Sequence, residues 1–136
     1  MVGALLGSVW APAEAGARPG YRARLLRLVN EIRDNHGLRR LDLNLRLSRY
    51  ARKHSWSMAR NRQLFHSANL YTVVRRYGAR TWGENVGRTT TLRQCVRLWM
   101  KSPSHRSNLL NRRFRKTGIG VVRSGGWLWI TQIYYG

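Results

Sequence analysis

The sequence has very little cysteine: Cys95 is the only one among 136 residues, so no disulfide can form within the chain. A domain of this size must then be stabilised by packing alone. Leu92, Val96 and Trp99 flank Cys95 at helical spacing. This pattern predicts a buried apolar thiol and not a nucleophile.

Acidic residues are also scarce, with 5 Asp and Glu against 26 Lys and Arg and a formal net charge of +21. Such a field attracts polyanions, and the binding weakens as salt rises. The candidate partners are an anionic cell-wall polymer, a lipid or a membrane surface. Nucleic acid is not expected, because no nucleic-acid fold signature is present. The alternative is a solvated surface without a dedicated partner, since the arginines are scattered from Arg18 to Arg123.

No apolar run is long enough to span a bilayer. Residues 1–15 form a short apolar stretch that closes in small residues, which is typical of the end of an export signal. We therefore expect an export-signal remnant at 1–15, a short linker at 16–23 and one domain at 24–136. The expected location is extracellular or in the cell envelope, and the expected state is a monomer.

Apolar residues recur every three or four positions in several segments, which predicts helices. Gly37 is a typical stop for the first, and Ser102 before Pro103 predicts an N-cap for the last. His54 lies on the apolar side of the second helix, where we expect a core histidine with one satisfied nitrogen. The predicted helices cover residues 21–36, 44–62, 70–77, 91–101 and 103–110.

The C-terminal part changes to a β pattern. Residues 117–123 and 127–135 are rich in β-branched and aromatic side chains and flank the sequence Ser124-Gly-Gly126. Two such runs around a glycine turn predict an antiparallel hairpin. Helices followed by a hairpin indicate an α+β domain with helices packed on a small sheet.

Several segments then occur in an order that resembles the bacterial CAP domain, the group of cysteine-rich secretory proteins, antigen 5 and plant pathogenesis-related class 1 proteins. The resemblance covers residues 24–136 and implies a three-layer α-β-α sandwich. The segments are His54-Ser-Trp-Ser-Met-Ala59, Leu64-Phe-His-Ser67, Gly83-Glu-Asn-Val-Gly87, Trp99-Met-Lys-Ser-Pro-Ser-His105 and Gly118-Ile-Gly-Val121.

The resemblance also implies a cleft that relatives line with two histidines and two glutamates. His66 and Glu84 match the first histidine and the first glutamate, whereas Ser102 and Trp129 occupy the other two positions. His105 is expected to point into the same cleft and to stand in for one of the missing groups. The residues expected to line the cleft are Asn85, Ser102, Trp129 and Gln132.

Two imidazoles and a carboxylate in one pocket leave three roles open. They can bind a divalent metal such as zinc, shuttle protons in catalysis, or form a structural clasp by hydrogen bonding to one another. The chain has no His-Glu-x-x-His run, Gly-x-Ser-x-Gly elbow or P-loop. We therefore expect extracellular binding at His66, Glu84 and His105 more than catalysis, with zinc as the candidate cofactor. A metal-dependent hydrolase and an electrostatic binder remain the alternatives.

Overall fold

The computed structural model describes residues 20–136, so the predicted export-signal remnant lies outside the described residues. The first helix begins at Tyr21, and the last three residues of the predicted linker therefore belong to it. The helices are α1 (Tyr21–Asn35), α2 (Leu45–Asn61), α3 (Leu70–Val74, continued by a 3-10 turn at Arg75–Tyr77), α4 (Leu92–Lys101) and α5 (Pro103–Leu109). The strands are β1 (Asp42–Leu43), β2 (Trp82–Thr89), β3 (Lys116–Ser124) and β4 (Trp127–Tyr135).

Local capping explains where two of the helices start. The side chain of Asn44 accepts a hydrogen bond from the Leu47 amide before α2, and Thr91 accepts one from the Gln94 amide before α4. Ser102 has the N-cap position of α5, but its hydroxyl caps no backbone amide. Within residues 20–136, none of the helices combines the length and the apolar character that a membrane span requires.

The strands form a sheet in the order β1-β3-β4-β2. Strand β4 pairs antiparallel with both β2 and β3, and β1 pairs in parallel with β3 through two residues. The turn between β3 and β4 consists of Gly125 and Gly126, both with positive φ, as a tight hairpin turn requires. The predicted hairpin and the α+β class are confirmed, whereas β2 was not predicted as a strand.

Helices cover both faces of the sheet, which confirms the three-layer α-β-α sandwich. On one face, α2 lies directly on β3, because Gly118 and Gly120 carry no side chain between the sheet and the helix. The other face carries the main core, to which α1, α4 and α5 contribute Leu25, Val29, Cys95, Trp99 and Leu109. Cys95 is 1% exposed, and burial raises the pKa of its thiol to about 12, as expected of an inert core residue.

A buried arginine fixes the segment that joins α5 to β3. Arg33 of α1 is fully buried, and its guanidinium donates to four main-chain carbonyls: those of Arg39 (2.7 Å), Leu109 (2.8 Å), Asn111 (3.1 Å) and Phe114 (3.1 Å). Burial lowers the pKa of this guanidinium. The carbonyls satisfy its donors in place of a carboxylate, so the backbone at 109–114 is held by α1.

Candidate functional site

A buried carboxylate anchors the candidate site. Glu84 lies in β2 with its side chain only 3% exposed. One of its oxygens accepts hydrogen bonds from His66 Nδ1 (2.7 Å) and from the Ser67 amide (2.8 Å), and the other accepts from the Ser67 hydroxyl (2.5 Å). The loop between α2 and α3 is thereby attached to the edge strand of the sheet. Ser67 had no assigned role in the sequence analysis, because a lone serine in a loop gives no signal.

The second histidine belongs to a neighbouring hydrogen-bond group. His105 of α5 shares a 2.8 Å hydrogen bond between its Nδ1 and the Ser102 hydroxyl, which explains why Ser102 does not cap the helix. Its ring stacks on Trp99 with the centroids 6.3 Å apart. Burial lowers the pKa of His105, and the charge of His66 lowers it further. The imidazole is therefore held in its neutral form near pH 7.

Asn85 and Gln132 tie α5 to the sheet from the side opposite Glu84. Asn85 Nδ2 donates to the His105 carbonyl (3.0 Å) and to the Tyr134 hydroxyl (3.2 Å), and Tyr134 donates to Gln132 Oε1 (2.9 Å). Asn108 completes this group by donating to Asn85 Oδ1 at 2.9 Å. Asn85, Gln132 and Tyr134 are fully buried and Asn108 is half-buried, so this network fixes the backbone that carries His105 from inside the domain.

A pocket of about 250 Å³ lies at the free edge of β2, beside this network. Its wall is formed by residues of β2, of α4, of the loop after α2 and of the start of α5. The lining residues are Leu64, Val86, Gly87, Arg88, Thr89, Cys95, Leu98, Trp99, Ser102 and His105.

Of the four residues expected to line the cleft, Ser102 alone lines this pocket at the edge of β2. Asn85 and Gln132 are fully buried in the network behind it. Trp129 projects from β4 toward the α2 side of the sheet, where it packs with Met58 and Val122. Trp129 pairs in register with Arg88, whose guanidinium lies over its ring at 5.4 Å, and Arg88 lines the pocket whereas Trp129 does not.

The remaining histidines take structural positions. His54 Nε2 shares a 2.7 Å hydrogen bond with the Phe65 carbonyl, and its ring meets Phe65 edge-on, as expected of a core histidine with one satisfied nitrogen. His36 is exposed at the end of α1, with Nδ1 2.8 Å from the Ile32 carbonyl.

The donor set fits a metal ion only in part. Within residues 20–136, no group of three or more His, Cys, Asp or Glu side chains is placed to share an ion. Both oxygens of Glu84 are occupied by His66 and Ser67, so this carboxylate is not free to act as a third ligand. The Nε2 atoms of His66 and His105 remain the available ligand atoms, and zinc binding stays a prediction.

Comparison with known proteins decides the family. Residues 26–134 match the CAP family, described as the cysteine-rich secretory protein family. The chain belongs to the CAP family. The predicted resemblance is thus confirmed over nearly the whole of the described domain.

Relatives of this CAP domain occur in other bacteria. It is 32% identical over 129 residues to the uncharacterized protein YkwD of Bacillus subtilis (strain 168). The aligned region covers 90% of this chain and 49% of that protein. The chain thus spans about half the length of this curated relative. The structure of an extracellular protein containing a SCP domain, from Bacillus anthracis str. Ames, has 26% identity and a TM-score of 0.73, and the match covers 84% of this chain and 39% of that one.

A third comparison supports the fold alone. An outer surface protein of Borrelia burgdorferi superposes with a TM-score of 0.75 at 19% identity, covering 83% of this chain and 90% of that protein. In the CAP domain described here, His66 and Glu84 are joined by a hydrogen bond of 2.7 Å. The match of these residues, and of Ser102 and Trp129, to the tetrad positions stays a prediction from the resemblance.

Proposed function

We propose that this CAP domain acts outside the cell or in the cell envelope as a binding module, and that its ligand enters the pocket at the free edge of β2. The relative from Bacillus anthracis, described as an extracellular protein, supports the location. The observation that carries the binding role is the clasp at Glu84. This carboxylate accepts three hydrogen bonds from His66 and Ser67, so taking a proton from a substrate would require breaking the loop attachment.

The chemistry of the pocket suggests an amphiphile with a negative group. Leu64, Val86, Leu98 and Trp99 offer an apolar wall, and about 250 Å³ is small for a ligand site, which fits a short aliphatic chain. Arg88 also lines the pocket, and its guanidinium lies over the rings of Trp127 (4.9 Å) and Trp129 (5.4 Å). A guanidinium held in this way is suited to a carboxylate or phosphate head.

The test uses decanoate, measured by displacement of a fluorescent fatty-acid analogue. Leu98→Arg places a charge in the pocket, and Leu45→Arg is the matched control because Leu98 and Leu45 are similarly exposed, at 50% and 55%. We expect Leu98→Arg to weaken decanoate binding at least tenfold and the control to leave it within about twofold. Arg88→Gln should weaken decanoate but not decanol. Absent binding by the unchanged protein, or equal losses in the two leucine variants, would overturn the proposal.

A divalent metal is the second candidate, and the His66–Glu84 pair favours it. A carboxylate that receives the Nδ1 proton of a histidine leaves Nε2 as a ligand atom, which is a common arrangement behind zinc-binding histidines. His105 also has its Nδ1 engaged, and its lowered pKa keeps the ring neutral for coordination. Zinc bound through these two rings would polarise water or a ligand oxygen.

Zinc titration calorimetry tests this candidate with His66→Gln and His105→Gln, and with exposed His36→Gln as the control. We expect weak binding by the unchanged domain, because only two protein ligands are available, and loss of the signal in either cleft variant but not in His36→Gln. If the domain takes up no zinc below roughly millimolar concentration, the proposal of a metal site is wrong. Ester hydrolysis that appears with zinc and disappears in His66→Gln would instead favour the hydrolase alternative.

A further inference from the structure

A second pocket, of about 630 Å³, lies where the end of β4 meets the segments before β2 and before β3. Its wall is composed mainly of arginine, and no acidic side chain lines it. The residues that matter are Arg80, Thr81, Arg112, Arg113, Arg115 and Gly136. We call these four arginines and the space between them the arginine pocket.

The backbone that carries three of the arginines is fixed before any ligand binds. Arg33 holds the carbonyls of residues 109, 111 and 114 from below. The Asn111 side chain accepts from the Arg113 amide at 2.9 Å, and the Arg115 amide donates to the Tyr135 carbonyl at 2.9 Å. Between them, Phe114 is buried and stacks on Tyr134. A rigid backbone reduces the entropy lost when the guanidinium groups engage a ligand.

The opposite wall is fixed as well. The amides of Arg80 and Thr81 donate to the Gly136 oxygen at 2.8 Å and 3.0 Å, and the Gly136 amide donates back to the Thr81 carbonyl at 3.0 Å. Arg80 is therefore held facing the segment of Arg112, Arg113 and Arg115 across the pocket. All four arginines are exposed, so their guanidinium groups are accessible to a ligand.

The positive charge of the arginine pocket is not neutralised within residues 20–136. Three of the four acidic residues in this range are committed elsewhere: Glu31 pairs with Arg27, Asp34 with Arg40, and Glu84 with His66. The fourth, Asp42, is exposed and in register with Lys116 at the border of the pocket, and it makes no ion pair with an arginine of the pocket. Four arginines and no acidic side chain line the pocket, which gives it a local excess of positive charge.

We propose that the arginine pocket binds a phosphate chain without bases, such as a phosphodiester polymer of the cell envelope. Several guanidinium forks on a fixed frame match the tetrahedral oxygens of successive phosphates. The volume is larger than a single phosphate needs, which favours a segment of polymer. A nucleic acid is disfavoured because no aromatic side chain lines the pocket to stack a base. This inference is independent of the ligand proposed for the pocket at β2.

The test compares two triple variants of equal charge. Arg112→Gln/Arg113→Gln/Arg115→Gln removes three guanidinium groups from the pocket, and Arg22→Gln/Arg46→Gln/Arg49→Gln removes three exposed ones from α1 and α2. Binding of a polyphosphate of defined length is measured by fluorescence anisotropy over a range of NaCl concentrations. We expect the pocket variant to lose at least tenfold in affinity and its log K against log salt slope to become shallower by about two, with less than a threefold loss in the control.

Three further measurements decide the chemistry. The variant Arg112→Lys/Arg113→Lys/Arg115→Lys keeps the charge but removes the planar guanidinium donors. We expect its affinity for polyphosphate to fall severalfold. Polyglutamate of equal charge should bind more weakly than polyphosphate, and single-stranded DNA should show no dependence on base composition. Equal losses of polyphosphate affinity in the two glutamine variants would mean diffuse attraction and would overturn the proposal. It is also overturned if the lysine variant binds as tightly as the unchanged protein, if polyglutamate binds as tightly as polyphosphate, or if DNA binding depends on base composition. Equal urea midpoints for both glutamine variants confirm that folding is not the cause.

Discussion

At the scale of single residues, two charged side chains are buried within residues 20–136, and they do not pair with each other. Glu84 is compensated by His66 and by the amide and hydroxyl of Ser67, and Arg33 by four main-chain carbonyls. In both cases one side chain attaches a loop to a regular element. Buried polar groups of this kind stabilise a fold only while every partner is in place.

We expect Glu84→Ala to lower the free energy of unfolding by about 1–3 kcal/mol, because it leaves the partly buried Ser67 amide without an acceptor. Urea denaturation measures the change. Glu31→Ala is the control, since its exposed pair with Arg27 contributes less than about 1 kcal/mol. Similar losses in both variants would show that the clasp does not stabilise the domain.

His105 should make stability depend on pH. Its folded-state pKa is lowered, mainly by burial, from an ordinary value of 6.5, so the unfolded chain binds this proton more readily than the folded one. The free energy of unfolding should therefore fall as the pH falls below about 6.5. Urea midpoints at a series of pH values should show a smaller slope for His105→Gln, whereas His36→Gln should keep the original slope. An unchanged slope in His105→Gln would contradict this.

At the scale of secondary-structure elements, the sequence was informative wherever local signals decide. The stop at Gly37 and the turn at Gly125-Gly126 are short-range features that the sequence predicted, whereas Ser102 has the predicted N-cap position but its hydroxyl caps no backbone amide. All but one of the predicted helices lie within one or two residues of their observed ends. The third differs most, because its last turn is a 3-10 turn. Short-range chemistry of this kind is readable without knowing the tertiary structure.

Long-range contacts could not be predicted from the sequence. Strand β2 escaped prediction because Gly83-Glu-Asn-Val-Gly87 has low β propensity, and only its pairing with β4 makes it extended. Arg33 looks like an ordinary surface residue near the end of a helix, and its burial depends on carbonyls more than 70 positions away. The residues Glu84 and His66 could be named only from the family resemblance, and the role of Ser67 emerged from the structure.

The contact between α2 and β3 gives a prediction at this scale. A methyl group at Gly120 would overlap the backbone of Ala51 and Arg52, whose atoms would lie well inside van der Waals contact distance of it and cannot move without displacing the helix. We expect Gly120→Ala to lower the free energy of unfolding by about 1–3 kcal/mol. Gly20→Ala is the control, since nothing lies within 4 Å of a side chain there, and it should cost only a few tenths of a kcal/mol. Calorimetric melting of the two variants provides the comparison.

At the scale of the whole molecule, charge of one sign dominates. The charges of Arg18 and Glu14 cancel, so residues 20–136 carry the full formal charge of +21. Only two ion pairs between arginine and an acidic side chain occur in this range, and both are exposed. Mutual repulsion among the remaining cations opposes the compact state.

We therefore expect the melting temperature to rise when NaCl is increased from about 0.02 M to about 0.3 M, because salt screens this repulsion. The variant Arg22→Gln/Arg46→Gln/Arg49→Gln carries three fewer charges and should respond less. Differential scanning calorimetry gives both values. A melting temperature that falls with added salt would mean that the few ion pairs outweigh the repulsion.

The choice of acceptors for Arg33 has a consequence for the conditions that the protein tolerates. Main-chain carbonyls do not take up protons in the range where carboxylates do, and the guanidinium keeps its proton throughout. The hydrogen bonds of Arg33 that hold the backbone under the arginine pocket are therefore not broken by acid. In an acidic exterior, where a carboxylate-bridged loop would come apart, this end of the molecule should still present the same cationic surface.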